Sequence, residues 1–445
     1  MGRTQQTKGI SRKVRASSTK PPASRNSHRL VVVSIDGLRS ELLLRPDDFQ
    51  LKIPSLRKMI TAGASAEAVE SVFPSTTYPA HATLVTGVPP RVHGIYSHLD
   101  SRDPSAMARP WHWFARALKV PTLWDVARKA GLKTASVGWP VSAGGAIDYN
   151  IPEIWDPAAS DPYQDFEPAV RNSTPGLFEE IKNNFQSLPA DHTHDTLRTE
   201  AALYLWQRYH PDLLLIHLVV YDDSAHHFGP LSAEATTALE RTDAEIARVR
   251  MAVGREATVV VLSDHGFVPV EKEAAPQVAL EEEGLLGRNG AGSLVLKKLG
   301  AIHAGGSFAI YWLEPPTVQE SQALKRAVNR VQATGAVAKV VDRKELRAMG
   351  ADPDAALILD AARGFYFSDR TEGPLIRDSV SDRGAHGHLP SQPGLEACFV
   401  AVGPDIKRGK NLRRIQLTQV APTLARILNI PAGGLAAKNS ELRLS

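Results

Sequence analysis

The chain of 445 residues is 43% hydrophobic and 22% charged, the composition of a folded globular protein, which excludes a wholly disordered or fibrous chain. Its apolar runs stop short of the roughly 20 residues that a bilayer-spanning helix needs, and its single cysteine, Cys398, allows no internal disulfide. The net charge of +4 is uneven: residues 1–29 hold eight Lys or Arg and no acid, which leaves 44 basic against 48 acidic side chains in the rest.

The 1–29 segment, rich in Ser, Thr, Arg and Lys, reads as a disordered basic tail. Such charge runs are usually just solvated, so we expect no specific nucleic-acid partner and no transmembrane segment. The segment lacks the apolar stretch of a secretory signal, which reads as cytoplasmic; a start codon assigned too far upstream would make an exported or periplasmic protein the alternative. LVVVSI (30–35) then predicts a buried strand, followed by a helix near 54–62. TLWDVARKAG (122–131) predicts a helix ending at Gly131, and KTASVGW (133–139) a strand. A helix near 196–209 leads into a strand over 212–218, and a long helical pattern over 232–253 into a strand over 257–263. ACFVAVG (397–403) is a late strand that buries Cys398, and LTQVAPTLARILNI (417–430) a closing helix. Strands alternating with helices argue for an α/β fold, a mostly parallel central sheet with helices on both faces. Stretches near 99–120, 155–195 and 268–380 break the rhythm and read as insertions forming a smaller lid or cap, the last holding a strand at 307–313 and a helix near 317–331. There is no internal repeat and no composition break, so residues 30–445 read as one domain.

Chemistry-bearing residues gather just past the strands, where open α/β sheets build their sites. Asp36 follows the first strand in SIDG, Asp264 and His265 follow another in SDHG, and DDSAHHFGP (222–230) follows a third. Asp222 with His226, and Asp223 with His227, share the four-residue spacing that puts two side chains on one helix face, so the local pattern leaves that register open. RGAHGHLP (383–390) adds His386 and His388 among glycines. Like charges collected in one place call for a cation, and imidazole with carboxylate suits zinc ahead of manganese or iron. The stretch FPSTTYPAHATLVTG (73–87) poses a separate choice. Its two threonines stand at a helix mouth beside a proline, where they serve either as a cap or as a nucleophile in a field that favours negative charge.

Taken together, SIDG, TTYPAHATLVTG with HGI (93–95), Asp222-x-x-x-His226-x-x-Gly229-Pro230, SDHG, Gly384-x-His386-Gly387 and FVAVGPDIKRG (399–409) resemble the nucleotide pyrophosphatase/phosphodiesterase family of the alkaline phosphatase superfamily. The resemblance covers the body and not the tail. It implies an alkaline-phosphatase-like core and two Zn²⁺ ions, one held by Asp222, His226 and His386, the other by Asp36, Asp264, His265 and the Thr77 oxygen. It implies that Thr77 is the nucleophile, that a phosphothreonine forms and is cleared by water, and that the substrate is a small phosphoester, nucleotide-like or lipid-like. His217, His227 and His388 are then structural or supporting. One departure stands out: where the family places an Asn that binds a phosphoryl oxygen, HGIYSH has His98. His98 is therefore a candidate substrate-binding residue that leaves diester against monoester preference open.

The same metal frame also serves phosphomonoesterases, phosphonate hydrolases and metal-dependent mutases. A sulfatase would need Cys or Ser followed by x-Pro-x-Arg, and TYPAH offers no Arg. A non-catalytic, metal-stabilised binding protein is the reading from another class. Trp111, Trp113 and Phe114 suit packing or a lid more than nucleobase stacking.

Overall fold

The first strand, Arg29–Ile35, is apolar on both sides because it lies at the middle of an eight-stranded sheet. The computed structural model describes residues 28–99, 111–156, 167–185, 193–288, 294–295, 298–435 and 441–445. Almost all of the basic tail read from the sequence, residues 1–27, lies outside the described residues. The first strand pairs in parallel with Leu213–Leu218 on one side and with Ala257–Leu262 on the other. Thr134–Val137 and Tyr149–Ile151 extend the parallel set beyond Leu213–Leu218. Past Ala257–Leu262 the sheet continues with Phe399–Val402, Ala64–Ser65 and Lys410–Asn411. Phe399–Val402 runs antiparallel to its neighbours, and Cys398 just before it is buried as expected.

Alternation along the central strand divides the core. Val31, Val33 and Ile35 join one apolar cluster with Leu56 and Met59 of the helix Pro54–Ala62, Leu205 of His194–Tyr209, and Ile246 and Val249 of Ala233–Val253. Leu30 and Val32 join the other with Leu84 of Thr77–Thr86, Trp124 of Leu123–Lys129, and Leu424 of Val420–Ile427. Helices thus cover both faces, as the sequence suggests. Element ends follow local chemistry: the helix expected from 122 starts at Leu123 because Thr122 and Asp125 form a capping box. The closing helix is shorter than expected, a 3₁₀ turn Leu417–Gln419 preceding Val420–Ile427.

The 155–195 stretch is less peripheral than its composition suggests. Its helix Leu177–Phe185 sends Leu177 and Ile181 into the main core. The 268–380 stretch builds a cap with its own apolar cluster. Strands Leu299–Ala304, Ser307–Trp312, Leu357–Ala361 and Val337–Asp342 form an antiparallel sheet backed by the helix Val318–Ala333. A further sheet centres on Val268–Ala274, which also pairs with Gly384–Ala385 immediately before His386.

The cap's hairpin tip holds the His386 loop. Gly306 N–H donates to the His386 carbonyl at 2.6 Å. Gly387 has φ +93°, and a Cβ there would lie 2.0 Å from the Ala304 carbonyl oxygen. Only glycine combines that left-handed backbone with so close an approach. Gly387→Ala should therefore cost at least about 2 kcal/mol, from backbone strain plus overpacking. Urea unfolding measures it, and a loss under about 0.5 kcal/mol would contradict this account of the loop.

Candidate metal centre

Adjacent parallel strands lie about 4.8 Å apart, so residues just past their carboxyl ends share one small volume. The three central strands deliver Asp264 and His265, Asp36, and the helix Val220–Phe228 that carries Asp222 and His226. That helix begins at an apolar N-cap, Val219. Its free N–H groups are satisfied instead from the neighbouring helix, where buried Asp195 accepts from Val219 and Val220 at 2.7 and 3.2 Å. The capping function is thus supplied across the fold.

Two groups of potential ligands result. Asp222, His226 and His386 form one, and Asp36, Asp264 and His265 the other, with ligand atoms in each within 4.8 Å of one another. His226 Nε2 lies 3.5 Å from Asp222 Oδ2 and 3.2 Å from His386 Nε2. His265 Nε2 lies 3.1 Å from Asp264 Oδ2 and 3.4 Å from Asp36 Oδ1. The groups are neighbours, because the His265 and His386 rings stack with centroids 3.9 Å apart. Each ring is oriented from its far nitrogen: His386 Nδ1 donates to the Ser75 carbonyl at 3.2 Å, and His265 Nδ1 to the Gly266 carbonyl at 3.0 Å. His226 Nδ1 sits 3.6 Å from Asp382. This is the arrangement that leaves Nε2 ready to ligate. The register left open by spacing resolves in space, since His227 is exposed and pairs with Asp223 outside both groups.

The donor set fits cations. Asp36 Oδ1, Asp222 Oδ1 and Asp264 Oδ2 are buried and make no hydrogen bond among the described residues. Burial, followed by repulsion from Asp36 and Asp264, pushes the Asp222 carboxyl well above the usual range. Burial, then His265 and His226, push His386 well below its usual value. Neutralising acids and bases in this way is the response of crowded ligands whose charges only a cation would offset.

The threonine pair does not cap its helix. Thr76, the N-cap residue, makes no side-chain capping hydrogen bond, and its buried hydroxyl has no partner among the described residues. Thr77 opens the helix Thr77–Thr86 and places Oγ1 3.5 Å from His265 Nε2. Both threonines line a cavity of about 390 Å³ together with Asp36, Asp222, His226 and His386. The rest of its wall is mainly apolar and includes Ile154, Trp155, Phe178 and Leu197. Trp111 belongs to this wall, packing edge-on against Tyr78 and Trp155 at 5.3 and 4.8 Å, while Trp113 packs in the cluster beside it. His98 also lines the cavity, 4.7 Å from the Trp111 ring and 6.4 Å from His303, and stands outside both ligand groups. His388 is buried and supports the cap.

Sequence reasoning took His217 as structural or supporting and missed the residues around it, Glu153 and His81. His217, from the middle of a buried strand, bridges Asp36 and Glu153. Burial alone would lower its pKa, but Glu153 and Asp36 together push it up to about 10. Glu153 in IPEIW is an acid among apolar residues just past a strand, the same signal that marks Asp36. His81, one turn after Thr77, donates from Nδ1 to the Thr77 carbonyl at 2.9 Å, hydrogen-bonds Ser34 through Nε2 at 2.9 Å and lies 3.4 Å from Asp264.

A model of the type I phosphodiesterase / nucleotide pyrophosphatase family matches residues 30–389. Venom phosphodiesterase 2 of Crotalus adamanteus is 25% identical over 264 residues, 56% of this chain and 28% of the relative. Ectonucleotide pyrophosphatase/phosphodiesterase family member 7 of Rattus norvegicus is 23% identical over 270 residues, 58% of this chain and 54% of the relative. The matched segments thus span a quarter to a half of these relatives. Among solved structures, an inactive threonine-to-alanine variant of murine ectonucleotide pyrophosphatase/phosphodiesterase 5 in complex with AMP superposes with a TM-score of 0.65 at 17% identity, covering 91% of this chain and 96% of that one. The human counterpart gives a TM-score of 0.61 at 18% identity, with 91% and 95% covered. Both show the same fold.

Removing each helix histidine tests the register. His226→Ala should lose one zinc equivalent by elemental analysis of the purified protein, and His227→Ala none. Equal zinc loss in both variants would contradict the assignment.

Proposed function

The chain belongs to the type I phosphodiesterase / nucleotide pyrophosphatase family, and on that premise we propose that it hydrolyses phosphodiester or pyrophosphate bonds through Thr77, with two zinc ions held by the two acid–histidine groups. The observation that carries this reading is the Thr77 hydroxyl, released from capping and set 3.5 Å from His265 Nε2 at the edge of the Asp36 group. In this reading Asp222, His226 and His386 hold one ion, and Asp36, Asp264, His265 and Thr77 Oγ1 the other. Zinc bound there supplies Lewis acidity, which lowers the pKa of a hydroxyl and offsets phosphoryl charge.

Thr77 Oγ1 forms a bond to phosphorus as its hydroxyl proton passes to solvent. The bond from phosphorus to the leaving alcohol or phosphate breaks, and that group is protonated from solvent. The resulting phosphothreonine is opened by water, which breaks the bond to Thr77 and restores its hydroxyl. The first turn of the Thr77–Thr86 helix adds a smaller term favouring the anion. His265 and His386 are held by backbone carbonyls, so their rings need not reorganise during the reaction.

The cavity wall supports a substrate whose organic group has apolar or aromatic surface, nucleotide-like or lipid-like. The AMP bound by the murine structural neighbour supports the nucleotide-like class. The inactivity of that neighbour's threonine-to-alanine variant supports a threonine nucleophile. His98 is assigned to substrate binding, where an imidazole in place of an amide would tune the response to phosphoryl charge.

Thr77→Ala should retain zinc and lose about 10³-fold or more in kcat on p-nitrophenyl thymidine monophosphate. Wild-type protein that binds zinc yet turns over neither this diester nor p-nitrophenyl phosphate would favour the non-catalytic reading. His98→Asn should change the diester-to-monoester ratio of kcat/KM, and an unchanged ratio would remove His98 from phosphate recognition.

A further inference from the structure

We propose that Glu153 is a positioning residue that fixes Asp36 through His217 and so sets the affinity of one of the two metal positions. The proposal rests on the reading of Asp36, Asp264 and His265 as a metal site.

Glu153 follows the strand Tyr149–Ile151 at the sheet edge and is buried. Its Oε2 accepts from His217 Nδ1 at 2.8 Å, and His217 Nε2 donates to Asp36 Oδ2 at 3.0 Å. His217 is fully buried, so solvent cannot replace either contact. The chain of contacts engages one face of Asp36 only. With Oδ2 taken, the carboxylate turns its other oxygen, buried and without a hydrogen bond among the described residues, to 3.4 Å from His265 Nε2. His217 and Glu153 thus choose which oxygen of Asp36 faces the ligand group.

Two further contacts fix Glu153 itself. Arg198 Nη1 donates to Oε2 at 3.2 Å and also to the His217 carbonyl at 2.9 Å. The Tyr78 hydroxyl, on the residue after Thr77, donates to Oε1 at 3.4 Å. One carboxylate therefore ties the helix carrying the nucleophile to an aspartate of the Asp36 group. A residue needed only to neutralise Arg198 would not require contacts on both oxygens from two other elements. Partners behind a ligand typically change metal affinity by about 10- to 100-fold.

The experiment is zinc titration of the full-length protein against a chromophoric chelator, with zinc-dependent turnover of p-nitrophenyl thymidine monophosphate followed in parallel. Glu153→Gln, which keeps the volume, should weaken one of two zinc positions by about 10- to 100-fold and leave the other unchanged. The zinc needed for half-maximal activity should rise by the same factor while KM for the diester stays within about twofold. His217→Gln should give the same loss, and the double variant should be no worse than either single one, because both act through one chain of contacts. Folded variants with wild-type zinc affinity at both positions would overturn the proposal. An equal loss at both positions, or additive losses in the double variant, would overturn it too, by showing a general effect on folding. Wild-type protein that binds no zinc would instead overturn the metal reading on which the proposal stands, a result distinguishable from the others before any variant is made.

Discussion

Three aspartates with like charge are brought together at the carboxyl ends of the central parallel strands, and each has a buried oxygen that makes no hydrogen bond among the described residues. Burying uncompensated carboxylates is among the costliest arrangements a protein can adopt. The surrounding structure is organised so that cations would offset that cost. Imidazoles stand beside the carboxylates, the far nitrogens of His265 and His386 are tied to backbone carbonyls, and the threonine helix opens at the same point. Without the strand register Asp36, the Asp222–His226 pair, the Asp264–His265 pair and His386 would not meet, because these segments lie far apart along the chain.

The cap completes the centre as well as covering it. His386 stands on a loop that enters from the cap side, after a short strand paired to Val268–Ala274. The Gly305–Gly306 turn of the cap hairpin presses on that loop, and a hydrogen bond from Gly306 fixes the His386 carbonyl. The cap side and the parallel sheet therefore each contribute residues to one candidate centre. The cavity follows from the same junction, with metal-centre residues at one part of its wall and apolar side chains from the 155–195 stretch at another.

Much of the architecture was legible in the sequence, because buried parallel strands are continuous apolar runs and helices show their own period and caps. LVVVSI and ATVVVLS needed no tertiary information. The antiparallel direction of Phe399–Val402 was hidden, since a strand buried on both faces looks alike either way. The candidate metal residues were legible as acids and histidines just past strands; spacing alone left two registers of the Asp–His pair open, the resemblance implied Asp222 with His226, and the helix turns His226 inward and leaves His227 exposed. Glu153, Arg198 and His81 were not legible as a group. Their role lies in contacts between residues far apart in the chain, and only Glu153, an acid just past a strand, leaves a signal in its own stretch. The same holds for Asp195, whose capping of a helix in another part of the chain leaves no local motif.

The central claim is that the two acid–histidine groups form a dinuclear metal centre beside Thr77. A crystal of zinc-loaded protein measured above and below the zinc absorption edge tests it most directly. The account predicts two anomalous peaks, one ligated by Asp222, His226 and His386 and the other by Asp36, Asp264 and His265 with Thr77 Oγ1 in reach. Zinc absent from both groups, or a single ion bound elsewhere on the surface, would contradict it.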